Sequence, residues 1–100
     1  MDFEERLDAY KNDSQLMLDF LTFIDADNPR MSEADAGDLN KFIDTVKKYI
    51  SDFESLQATA KAESNSQRKS ICTSALFVLA NLQSQLEHVK VKYEENKNKK

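Results

Sequence analysis

Cys72 and His88 are the only thiol and the only imidazole in a chain of 100 residues, and a thiol beside an imidazole is a common pairing of nucleophile and base. Their spacing argues against it. Positions 72 and 88 lie about 24 Å apart along a helix that rises 1.5 Å per residue. Cys72 also falls in an apolar stripe, and His88 falls on the opposite face of the same segment. The sequence therefore predicts a small buried hydrophobe at Cys72 and a solvent-facing ring at His88, with no dyad.

Other chemistries fail on residue type. "DADNPRMSEADA" is acidic enough to suggest a calcium loop. Counted from Asp25, however, it places Pro29 at the fifth position, Arg30 where glycine is required, and Ala36 where a bidentate glutamate should close the site. A di-iron bundle needs Glu-x-x-His, and Gln85 stands three residues before His88. One His and one Cys are too few to ligate zinc, and Gly37 alone makes no phosphate-binding loop. A phosphotransfer helix would follow its histidine with Lys-Gly at the third and fourth places, where "HVKVK" has Val91 and Lys92. The sequence thus offers no catalytic, metal or cofactor-binding residues and no small-molecule substrate, and an enzyme is not expected.

The elements that position these residues follow from composition. One Gly, one Pro and no Trp, with 40% apolar and 32% charged residues, describe a helical domain over residues 1–100, long enough to bury one core without metal or disulfide. Three segments carry apolar residues at helical spacing. The first has Phe3, Leu7, Tyr10, Met17, Leu21 and Ile24, with Ser14 in its one polar slot. The second runs from Leu39 through Phe42, Ile43, Val46, Tyr49, Ile50, Phe53 and Leu56 to Ala60. The third has Cys72, Ala75, Leu79, Leu82, Leu86, Val89 and Tyr93.

Pro29 ends the first helix near Asp25, because it lacks a backbone donor and biases Asn28 away from helical geometry. Ser32, with Asp35 three residues on, can cap the second helix, although Gly37 leaves a start at Asp38 open. "AESNSQ" forms a weaker break, built from cap and turn formers with no Gly or Pro. The expected helices are about 2–25, 32–62 and 67–95, followed by a frayed basic end at 96–100. Short connections make neighbours antiparallel, which gives an all-α, up-down-up three-helix bundle with coiled-coil-like packing. The alternative is a long helical hairpin that dimerises, if the second break is helical throughout.

Some apolar residues are left over. On a helical projection Phe77 points about 160° from Leu79, on an outer face with Ala80 and Ser84. Leu16, Phe20 and Phe23 widen one side of the first stripe and Leu18 the other. A contiguous apolar patch marks a contact surface unless the 25–32 loop or the chain ends cover it. The expected partner is another protein or a second copy of this chain, bound through Phe77, Ala80, Ser84, Leu16, Leu18 and Phe23. The expected role is adaptor, chaperone-like subunit, immunity factor or inhibitor, with a self-assembling structural subunit as the alternative.

Charge runs from −5 over residues 1–30 through −3 over 31–66 to +4 over 67–100, so the two ends can attract each other within one bundle or between copies. Lys90, Lys92, Lys97, Lys99 and Lys100 near Tyr93 would support only weak, salt-sensitive contact with nucleic acid or an anionic membrane, because a pI near 4.9 is the wrong footprint for a nucleic-acid binder. The longest apolar run, Ala75–Ala80, is far shorter than the roughly 20 residues needed to span a bilayer. "MDFEERLDAY" has no basic start followed by an apolar stretch, and one unpaired cysteine suits a reducing compartment, so a cytoplasmic protein is expected.

Overall fold

The computed structural model describes residues 3–98 and contains three helices: α1 (Phe3–Phe23), α2 (Glu33–Ala62) and α3 (Ser66–Asn98). They form an up-down-up bundle 55 Å long and 18 Å across. α2 and α3 pack most extensively on each other, and α1 docks on the pair along a narrower front. The core is the union of the three stripes. Met17, Leu39, Val46, Phe53, Cys72, Leu79, Leu82, Leu86 and Val89 are all 2% exposed or less, and Leu7, Leu21, Ile24, Phe42, Tyr49, Ile50 and Leu56 border them.

α1 ends at Phe23, two residues before the expected Asp25. The carboxylate of Asp25 accepts the Asp27 N–H at 3.0 Å and its carbonyl accepts the Asn28 N–H at 3.2 Å. This is a side-chain turn that competes with helix continuation. α2 begins where its cap signal lies, with Ser32 Oγ accepting the Asp35 N–H at 3.1 Å, so Gly37 sits within the helix. α1 is 21 residues long and α3 is 33. The loop between α1 and α2 spans the shortfall by running along the last turns of α3. There Pro29 is buried, and Asn96 donates to Asn28 Oδ1 at 3.0 Å. Residues 96–98 are accordingly helical rather than frayed. Lys99 and Lys100 lie outside the described residues.

The second break is a turn, which removes the continuous hairpin. Ser64 N–H bonds to the Lys61 carbonyl (3.2 Å) and Asn65 N–H to the Ala60 carbonyl (2.8 Å), the paired pattern of a Schellman motif. Ser64 takes the left-handed conformation, φ 56°, that glycine normally supplies. Asn65 then caps α3, its side-chain oxygen accepting the Arg68 N–H at 3.1 Å.

Polar contacts align α1 on α2. Arg6 pairs with Asp52 at 2.5 Å, and the Tyr49 hydroxyl donates to Asp13 Oδ2. Tyr10 sets its ring edge-on to Phe53 and Tyr49. Burial, followed by the Asp13 carboxylate, raises the Tyr49 pKa well above 10; burial also raises Tyr10, and it pushes the Cys72 thiol up despite nearby Arg68. Each group is held neutral in the fold, so its contribution is intact below its unfolded pKa and lost as pH rises through the folded one. Thermal melting is expected to be flat from neutral pH to about 8 and to fall progressively above about 9–10. Tyr49→Phe should shallow that alkaline limb; an unchanged limb would mean the phenol is not held by the fold.

Candidate interaction surface

Helical phase decides what α1 and α3 leave uncovered. On α3 the arc centred on Leu79 is spent on the core. Val78 sits at the arc's edge, 41% exposed, and Phe77 lies beyond it at 81%. On α1, Leu18 is one step past fully buried Met17 and remains 42% exposed. Because α1 and α3 run parallel, these leftovers fall side by side, and Leu18, Phe77, Val78, Ala80, Asn81 and Leu82 line one open groove of about 440 Å³. Val78 also closes a second groove with Leu7, Lys11, Ile71 and Ser74. The two make a continuous apolar seam along the α1–α3 edge.

The six expected contact residues therefore divide. Leu18, Phe77 and Ala80 meet in the seam. Ser84 is exposed two turns beyond Phe77 on the same helix face but does not line the groove. Leu16 and Phe23, 58% and 89% exposed, lie on the other flank of α1. On that flank Phe20 turns to stack edge-on against Phe42 of α2 at 5.3 Å. The loop at 24–32 does not reach Phe77 but packs beside Tyr93 and Asn96, some four turns further along α3.

One sequence signal of this surface is separate from periodicity. α3 has no charged residue between Lys69 and Glu87, in a chain where 32% of residues are charged. Its outward positions there are Ser70, Ser74, Phe77, Asn81, Ser84 and Gln85, all exposed. Depletion of charge around an aromatic is how interface centres differ from ordinary solvated surface. Val91, 51% exposed, continues the outer apolar face beyond this run.

The titratable groups are dispersed. Cys72 is fully buried, and His88 is half-exposed with Nε2 3.6 Å from Asp27 Oδ1, so the structure keeps thiol and imidazole apart. Among the described residues no three His, Cys, Asp or Glu side chains come together as a metal site, no buried side-chain polar atom lacks a hydrogen bond, and no helix is long and apolar enough to cross a membrane. No family model, curated protein or solved structure matches the chain.

Proposed function

We propose that this protein works by binding another protein through the Leu18–Phe77–Val78 seam, as an adaptor, chaperone-like subunit, immunity factor or inhibitor in the cytoplasm, and that it is not an enzyme. The observation that carries the reading is Phe77, 81% exposed at the centre of a helix face without charge. Burying such a ring is worth about 1.5–3 kcal/mol, so leaving it in water is costly unless a partner covers it. A mostly apolar seam with amide and hydroxyl rims and a single lysine, Lys11, in its lining also fits a protein better than a polyanion.

The test is affinity capture from the native host with the tagged chain, comparing wild type with Phe77→Ser. A specific protein should co-elute with wild type and be depleted by about tenfold or more in the variant. Equal recovery with both would place the binding surface elsewhere.

A further inference from the structure

α1 is attached to the bundle differently from the other two helices. α2 and α3 pack on each other over the broadest front, and the turn between them has its Schellman bonds and its Asn65 cap all made. α1 has clefts on both flanks. Toward α3 lie the two grooves of the seam, of about 340 and 440 Å³. Toward α2 lies a third, of about 280 Å³, between Arg6 and Asp13 on one side and Lys48, Tyr49 and Asp52 on the other. Side chains facing a gap forfeit dispersion contacts on that side, so a helix bordered by clefts is held less firmly than one packed along its whole face.

The end of α1 is also weakly closed. Its last turn carries no basic side chain to complement the helix dipole, and the Ile24 N–H reaches back to the Leu21 carbonyl at a long 3.4 Å. By contrast, three successive donors, from Glu63, Ser64 and Asn65, close the end of α2. The Arg6–Asp52 pair that ties α1 to α2 has side chains 30% and 25% exposed, where water competes for both partners. The loop after α1 is pinned separately. Pro29 is buried and Asn96 donates to Asn28 Oδ1, both beyond the turn at Asp25, so the loop can stay on α3 while α1 leaves.

We propose that α1 is a hinged arm, which swings away from the α2–α3 pair as one unit about Ile24 and Asp25 while the pair and the loop from Asn28 to Ser32 stay docked. Opening of this kind costs less than complete unfolding. Ala75 and Leu82 lie in the two grooves of the seam at 3% and 1% exposure, so opening lays bare apolar surface that the closed form hides. The device rests on how α1 is attached and not on any partner for the seam.

Native-state hydrogen exchange of the full chain, read residue by residue under conditions where reclosing outpaces exchange, separates opening of the arm from complete unfolding. The most protected amides of α1 should share one protection factor, at least about tenfold below that of the most protected amides of α2 and α3. Ile43→Val supplies the second measurement. Ile43 is 5% exposed and lies about 120° round α2 from Tyr49. It is on the side of Gln57, which donates to Thr73 of α3 at 2.7 Å. The smaller side chain weakens the α2–α3 pair and should speed exchange of its slowest amides about two- to tenfold. Exchange in α1 should not change, because the contact survives when the arm opens. Three results would overturn the proposal: equal protection in all three helices, protection in α1 that fades gradually from one end, or an Ile43→Val effect as large in α1 as in the pair. Capture of a protein through Phe77 would stand in each case.

Discussion

Phe53→Ala is expected to lower the unfolding free energy by about 3–5 kcal/mol, a large part of the roughly 5–15 kcal/mol available to a domain of this size. Phe53 is fully buried, with two tyrosine rings packed against it. Tyr10 meets its ring edge-on at 5.2 Å and Tyr49 lies tilted at 6.5 Å, and the Tyr49 hydroxyl is held by Asp13 of α1. Truncation thus loses the transfer term and leaves a cavity, and it also removes the edge contact that seats Tyr10. Because α1 has the narrowest packing front in the bundle, hydrogen exchange should accelerate more in α1 than in the α2–α3 pair. Urea denaturation gives the total loss and exchange gives its distribution. A loss below about 1 kcal/mol would mean the site collapses around the missing ring.

The three stripes were legible because each helix buries one arc, and a 3.6-residue period exposes that arc in the sequence. Every residue from Leu39 to Ala60 in the second stripe is buried or borders the core. The turn at Ser64 was faint because its left-handed residue is not glycine, so the strongest marker of a helix end is missing while its hydrogen bonds are all made. The path of the loop from Ile24 to Ser32 could not be read. Pro29 announces a break, but only the length difference between α1 and α3 sends that loop along Tyr93 and Asn96 rather than over Phe77. Register between helices is a three-dimensional quantity in the same way. Periodicity places Leu18 and Phe77 on their own helices, yet their meeting depends on how α1 slides against α3, where the Arg68 guanidinium lies over the Phe3 ring. The Tyr49–Asp13 and Arg6–Asp52 pairs, made across 36 and 46 residues of chain, leave no local trace. The absence of charge from Ser70 to Leu86 does, but it shows in a count of charges rather than a projection of apolar residues.

Leu79→Ala and Phe77→Ser, two positions apart on α3, are expected to give opposite results. Leu79 is 1% exposed and sits among α1, α2 and α3 side chains at mid-bundle. Its truncation should cost about 2–5 kcal/mol and lower the melting temperature by about 10 °C or more. Phe77 is 81% exposed, so a serine there removes almost no buried area from the monomer and gives up only a few tenths of a kcal/mol of helix propensity. The monomer's denaturation midpoint should move within about 0.5 kcal/mol. Measurement at low micromolar concentration matters, because any association through Phe77 would add apparent stability that grows with concentration. The informative comparison is therefore the melting temperature of each variant across a concentration series. Leu79→Ala should lie below wild type by a constant amount, whereas Phe77→Ser should match wild type when dilute and fall behind it when concentrated only if the ring pairs with a second copy. If Phe77→Ser instead lowers the midpoint as much as Leu79→Ala at every concentration, its ring is part of the monomer's core, and the surface built around it does not exist.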